Sequence, residues 1–201
     1  MKNIILINLF VAILCFLSGC GTSPPSKFYM LNSMPIPAEK AQLNDIQNRI
    51  TIGVEINDIP SYLSKPQIVV RVNSNELKLE EFNRWAETVK FSFPKVVANN
   101  MVAILPENKF IVYARKRILN SDYKVLLNIN QFDGTPGEKA SLIVQWGIFE
   151  SKNNKLQLTR VSNINVETDG NGFDKLVAAQ SKAIEILSRQ ISSAIEDLEK
   201  K

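Results

Sequence analysis

Phe173, Val177, Gln180, Ile184, Leu187, Ile191, Ile195 and Leu198 step along the last part of the chain by fours and threes. One stripe at that spacing is an amphipathic helix of more than 25 residues. It is the strongest helix in the sequence. Such a helix cannot bury its apolar side alone, so the rest of the chain must offer it a surface, usually a sheet. A coiled-coil or partner-docking role is the lesser alternative. Asn171 is placed to cap its start, Asp174 falls in the first turn and Lys200-Lys201 close its end, all suited to the helix dipole.

The segments before it supply strands. Lys27 to Leu31 is a short apolar first strand, and Asn32 to Asn48, with Pro35 and Pro37, reads as a loop with room for a helical turn. Ile50, Ile52, Val54 and Ile56 alternate with Thr51, Gly53, Glu55 and Asn57, the period of a half-buried strand. Ile59 to Pro66 is a loop punctuated by two prolines. Gln67–Val72 and Glu76–Leu79 flank Asn73-Ser74-Asn75, a hairpin turn. Phe110 to Tyr113 is a strand. Tyr123 to Ile129, Ala140 to Phe149 and Leu156 to Val166 follow, joined through Asp133-Gly134-Thr135-Pro136-Gly137 and Asn153-Asn154, as an antiparallel meander.

From Glu80 the pattern turns helical. Phe82, Trp85 and Val89 form one row, and Val96, Val97, Met101, Ile104 and Leu105 another. Pro94 between them predicts two helical pieces with a break, and Pro106 a stop. The expected architecture is α+β: a mixed or mainly antiparallel sheet packed by one broken helix and one long C-terminal amphipathic helix. Neither an internal repeat nor a second domain is visible.

The N-terminal segment points outward from the cell. Lys2 precedes an apolar run from Ile4 to Leu17, interrupted only by Asn8 and short of the about 20 residues a membrane span needs. The run ends in Leu17-Ser18-Gly19-Cys20, which resembles the bacterial lipobox. That resemblance implies a signal peptide over residues 1–19, diacylglycerol on the Cys20 thiol, and cleavage before Cys20. It also implies an acyl chain such as palmitate on the new amino group. A signal anchor or an ordinary secreted protein is the alternative. Cys15 would leave with the signal, so the two cysteines are not a pair. Several acyl chains make a firm anchor where one binds only marginally. Gly21, not Asp, follows the cysteine, which favours the outer membrane and its periplasmic side. Residues 20–27 then read as acylated Cys20 and a tether rich in Gly, Ser and Pro, reaching at most about 25 Å. A single α+β domain follows over residues 28–201.

Composition excludes several kinds of chemistry. The chain has no histidine and a formal charge of +4, one less without Lys2. Without imidazole there is no Ser-His-Asp or Cys-His arrangement, no HExxH zinc site and no ordinary general base near neutral pH. With Cys20 acylated, thiolate metal sites go too, so the only added group expected is the covalent lipid. GxSxG, GxGxxG and Walker A patterns are missing. Glu80-Glu81 and Glu196-Asp197 are neighbours in sequence and point apart on a helix, so both read as solvated surface. Arg115-Lys116-Arg117 is a solvated loop rather than a nucleic-acid patch, though it is able to touch anionic head groups.

One stretch carries a family resemblance. IPSYLSKPQIVVRVNSNELKLEEFNRWAE, residues 59–87, resembles the PqiC-like, ABC-type transport auxiliary lipoproteins through Pro60, Tyr62, Leu63, Lys65, Pro66, Gln67, Ile68, Val69 and Arg71. The match continues through Asn75, Leu77, Phe82, Arg84, Trp85, Ala86 and Glu87. Phe132-Asp133-Gly134, Trp146, LVAAQSKAIEILSRQI in the last helix and the lipobox agree with it. Asn83 departs where the family commonly has His, and Asn100 and Met101 depart from its usual wording. The resemblance implies an outer-membrane docking subunit of an envelope lipid transport system. It would work with a mammalian-cell-entry (MCE) protein, form a ring of several copies, and leave any ATPase to another chain.

The same residues also have plain structural readings. Phe82 and Trp85, on one helix face, are core anchors before they are partner contacts. Arg71 and Arg84 are able to pair with Glu55, Glu81 or Glu87. The polar, rigid loop from 59 to 66 has the better claim to a partner or oligomer contact, through Pro60, Tyr62, Leu63 and Pro66. A lipid carrier with its own cavity, or a periplasmic hydrolase working without His or thiol, are the competing functions.

Overall fold

A computed structural model of the chain describes residues 23–38, 49–114 and 121–200. The expected signal peptide, Cys20, most of the 32–48 loop and the Arg115-Lys116-Arg117 cluster therefore lie outside the described residues. Among the described residues the fold is α+β: eight strands in one open, mixed sheet, with two long helices.

The strands are β1 (Lys27–Tyr29), β2 (Ile50–Asp58), β3 (Gln67–Arg71), β4 (Leu77–Trp85), β5 (Phe110–Ala114), β6 (Tyr123–Gly134), β7 (Lys139–Glu150) and β8 (Lys155–Glu167). Helix α1 (Val89–Ile104) sits between β4 and β5, and α2 (Phe173–Leu198) ends the chain. The expected meander is present: β6, β7 and β8 pair antiparallel along nearly their whole lengths. The other edge of β6 forks. Its first half pairs parallel with β2, which pairs parallel with β5 in turn, and its end meets β3 at Val70↔Gly134. β3 continues into the hairpin with β4, and β4 carries β1 as a short parallel edge. Lying between two strands, β2 is more buried than a half-buried strand, with Ile52, Gly53 and Val54 all enclosed.

The alternation of β7 decides which face is covered. Ala140, Leu142, Val144, Trp146 and Ile148 are all buried, facing the helices, while Gln145 is exposed on the other side. Helix α2, about 39 Å long at 1.5 Å per residue, lays Leu176, Ala183, Ile184, Leu187, Ile191 and Ile195 against β7 and β8. Helix α1 lies on β2 and β5 and against α2. The Phe93 ring of α1 meets Phe132 edge-on at 5.3 Å, a contact worth about 0.5–1.5 kcal/mol beyond its buried area. Gly134 is required where β6 runs beneath α2. A Cβ there would come within 2.3 Å of the Lys139 carbonyl oxygen and 2.8 Å of a Leu176 methyl.

Three local expectations are corrected. The segment from Glu80 is not helical: β4 runs through Trp85, because β3 on one side and β1 on the other both claim its backbone. On a strand an odd separation separates two side chains across the sheet, so Trp85 is buried and Phe82 is exposed instead of sharing a face. Pro94 does not split a helix either. α1 is continuous around it, and the only bond that Pro94 removes is one to the carbonyl of exposed Lys90, near the helix start. Asn171 does not cap α2: Gly172 occupies that position and no side chain caps it.

The two helices are pinned by polar groups. Asn100, fully enclosed in α1, donates to Ser188 Oγ of α2 at 3.3 Å and accepts from the Met34 backbone N–H at 2.7 Å. One side chain thus registers both helices and holds down the segment that follows β1.

Candidate functional site

The loop from Ile59 to Pro66 is the segment expected to make contacts, and it is built rigidly. Its centre is one 3₁₀ turn, Ser61–Ser64, closed by the Leu63 N–H on the Pro60 carbonyl at 3.0 Å. Its exit is tied to β4, where the Trp85 N–H donates to the Pro66 carbonyl at 2.7 Å. Leu63 is 2% exposed and belongs to the core, so it holds the loop down and does not offer itself to a partner. Pro60 and Tyr62 are half-buried, whereas Ser61, Ser64, Lys65 and Pro66 are exposed.

Beneath the loop lies a charged lock that the sequence reading did not assemble. Phe132 and Gly134 face the helices, so Asp133 between them faces the opposite side of β6, where it is fully enclosed. Arg71 at the end of β3 meets it in a fork: Nη2 to Oδ2 at 2.7 Å, and Nε to Oδ1 and Oδ2 at 3.1 and 3.2 Å. Gln131 Nε2 donates to Oδ1 at 2.7 Å, and Thr135 Oγ1 donates to the Arg71 carbonyl at 2.8 Å. Tyr62 packs its hydroxyl against the same guanidinium. Burial pushes that hydroxyl above the ordinary tyrosine value, Asp133 adds to the rise and Arg71 opposes it. The bond to Asp133 raises the Arg71 guanidinium in turn. A two-pronged arginine–carboxylate pair is both strong and directional, so it fixes loop, β3 and β6 in one arrangement. The partner of Arg71 is therefore Asp133, not Glu55, Glu81 or Glu87. Asp133 had the look of a turn residue, and only the pairing of β3 with the end of β6 places it under Arg71.

The remaining motif residues separate by role. Asn75 is exposed in the hairpin turn, its N–H donating to Asn73 Oδ1 at 2.9 Å. Leu77 packs on the core from β4. Arg84 is half-buried beside its cross-strand partner Gln67; Arg84 Nε and Gln67 Oε1 are both enclosed without a hydrogen-bond partner. The structure thus joins Tyr62, Leu63, Arg71 and Trp85 through one loop and leaves Asn75 and Phe82 outside that cluster.

Beside the loop runs an open groove of about 570 Å³. Ser61, Ser64 and Ile59 form one wall, the end of β2 from Val54 to Asp58 its floor, and Lys90, Phe91, Pro94 and Lys95 of α1 the other wall. Glu55 and Asp58 face Lys90 and Lys95 across it, and Lys95 is paired with Glu87 at 2.5 Å. Its walls are rigid, its charge is mixed, and one ring, Phe91, stands exposed in it.

A second cleft, about 530 Å³, lies at the start of β6. There Tyr123 donates to Glu199 Oε1 at 2.7 Å. Burial, then that bond, then the charges of Glu199, Glu150 and Asp122 push its hydroxyl up to about 12 from 10.0. A tyrosine whose folded value is raised holds its proton more tightly in the fold than in the unfolded chain. Its contribution is therefore complete below pH 10 and is lost as pH rises towards 12. Urea unfolding measured from pH 9 to 12 is expected to show this alkaline decline, and Y123F to flatten it. Among the described residues no three acidic or thiol side chains gather into a metal-binding group, and no helix is long and apolar enough to cross a membrane.

Solved structures share the fold, two of them over most of the chain. One is an uncharacterised protein, 17% identical, with TM-score 0.70 over 86% of this chain and 99% of its own. The other is a protein from Xanthomonas campestris, also 17% identical, with TM-score 0.65 over 83% of this chain and 93% of its own. No match was found among curated proteins. A family model matches residues 29–192, from β1 into the second half of α2 and across the whole loop, lock and groove. The chain belongs to the family of ABC-type transport auxiliary lipoprotein components.

Proposed function

We propose that the protein is an outer-membrane-anchored periplasmic lipoprotein, the docking subunit of an MCE-type envelope lipid transport system. In this reading acylated Cys20 is the anchor and the domain carries out no chemistry of its own. It gathers as a homo-oligomeric ring that receives the MCE assembly. The observation that carries it is the locked 59–66 loop beside the groove on α1: a contact surface held rigid before any partner arrives loses little freedom on binding. Membership of a transport auxiliary family supports the accessory role. The mixed charge and openness of the groove favour a polypeptide occupant over the bound lipid of a carrier.

The test is purification of the tagged full-length protein from its own membranes, with mass spectrometry of everything recovered. An MCE protein is expected, and S61E/S64E, which changes two exposed loop residues on the groove, should lose it at unchanged Tm. Stoichiometric lipid without a protein partner would favour the carrier and end the docking assignment.

A further inference from the structure

Three phenylalanines stand in water among the described residues: Phe28 is 65% exposed, Phe91 53% and Phe82 40%, with Met30 at 62%. Two of the rings sit together at the edge of the sheet. Phe28 lies on the edge strand β1, opposite Arg84 of β4, and Phe82 is two residues before Arg84 on that neighbouring strand. The Tyr29 carbonyl accepts from the Ala86 N–H at 2.9 Å, which delivers Met30 to the junction of β4 and α1. There Met30 lines a shallow cleft with Glu87 and with Ser92 and Lys95 of α1. Exposed apolar residues scattered singly need no explanation, but Phe28, Phe82 and Met30 together at one corner mark a contact surface.

The chain itself names the occupant. β1 begins at Lys27, and seven residue steps separate Lys27 from Cys20, at most about 25 Å when extended. A domain leashed by an acylated Cys20 holds this corner within that distance of the lipid surface. Exposed Lys27 directly precedes Phe28, and such a group is drawn to anionic head groups within a Debye length, about 10 Å.

We infer that this corner is a second, non-covalent membrane contact, in which Phe28, Met30 and Phe82 enter the head-group layer and set the orientation of the domain above it. Apolar side chains at such a boundary sink about 5–10 Å. The inference rests on the lipoprotein reading of Cys20. It adds that the domain does not swing freely on its tether, so the groove and the 59–66 loop keep a constant attitude to the membrane.

The experiment uses the full-length protein extracted from its own membranes and returned to phosphatidylcholine vesicles containing phosphatidylglycerol, with or without brominated acyl chains. F28W places a reporter at the corner and V161W a control on β8, where Val161 is 67% exposed. Trp85 and Trp146 are buried and give both variants the same background. In brominated vesicles F28W is expected to lose emission relative to unbrominated ones, with its emission shifted to the blue, and V161W to change in neither respect. Equal, unquenched emission from both variants on protein that still floats with the vesicles would overturn the contact and leave the anchor intact. Shielding of F28W from aqueous iodide without quenching by bromine would place another protein copy on the corner, and overturn it as well. Protein that does not float, and whose mass shows no acyl groups, would remove the anchor itself.

Discussion

R71A is expected to destabilise the domain by about 3 kcal/mol, the lower end of the range for breaking a buried ion pair. The lower end applies because the Arg71 side chain keeps 29% of its surface in water while Asp133 keeps none. The cost is that of a carboxylate left enclosed with Gln131 as its remaining donor from a side chain. For a chain of this size the Tm should fall by about 2–4 °C per kcal/mol. R71L/D133L removes both charges and should cost less than R71A alone, since neither partner is then stranded. Urea unfolding of both variants, with D133A to complete the cycle, measures the coupling. An R71A protein within about 0.5 kcal/mol of the parent would match an ordinary surface substitution, and the lock would lose its place in the fold. Because Tyr62 leans on the same guanidinium, protease nicking between residues 59 and 66 should rise in R71A before global unfolding.

The second large effect lies under α2. Trp146 is 1% exposed, and its Nε1–H donates to Ser162 Oγ at 2.9 Å. Ser162 passes its own hydrogen to Gln190 Oε1 on α2 at 2.5 Å, so one chain of bonds crosses from β7 through β8 to the helix. W146A should cost about 3–5 kcal/mol, because the lost ring leaves a cavity that sheet and helix cannot both close. W146F separates packing from hydrogen bonding. It keeps most of the volume and strands the buried Ser162 oxygen, for about 1–3 kcal/mol. If W146F unfolds like the parent in urea, the indole N–H contributes nothing and the Trp146–Ser162–Gln190 chain is incidental.

Both residues show how a sequence pattern and a structural role come apart. Trp146 was legible as a member of an alternating strand, since Ala140, Leu142, Val144, Trp146 and Ile148 share one period. The helix it would meet was legible too, from its own stripe. What joined them through Ser162 and Gln190 was not, because neither polar residue breaks its local pattern in a way that marks burial. Arg71 and Asp133 are 62 positions apart and each has a local explanation, one as a strand end and one as part of a turn.

The misread segment is instructive for the same reason. Phe82, Trp85 and Val89 satisfy a helical row, and Glu and Arg between them favour it. Over eight residues the helical and strand periods share enough positions that neither excludes the other. The contest is settled outside the segment, by the unpaired edges of β3 and β1, which give the β4 backbone partners on both sides that a helix would have denied them. Pro94 was misjudged in the opposite sense. Its local rule was sound, but packing of Phe93, Val97 and Met101 against the sheet outweighs one missing hydrogen bond at an exposed first turn.

What the sequence determined unaided is whatever short-range periodicity controls: the class, the long C-terminal helix, the meander from Tyr123 to Glu167 and the hairpin at Asn73-Ser74-Asn75. The family likeness was visible in the same way, in the motif between Ile59 and Glu87. Tertiary structure alone decided that β2 lies between two parallel neighbours and that Leu63 is core. It alone set Arg71 on Asp133, and it alone brought Phe28 and Met30 to the side of Phe82. Parallel pairing, ion pairs across the sheet and clustered surface rings all depend on residues tens of positions apart. Their energies are felt only after the chain has closed, and leave no local period to read.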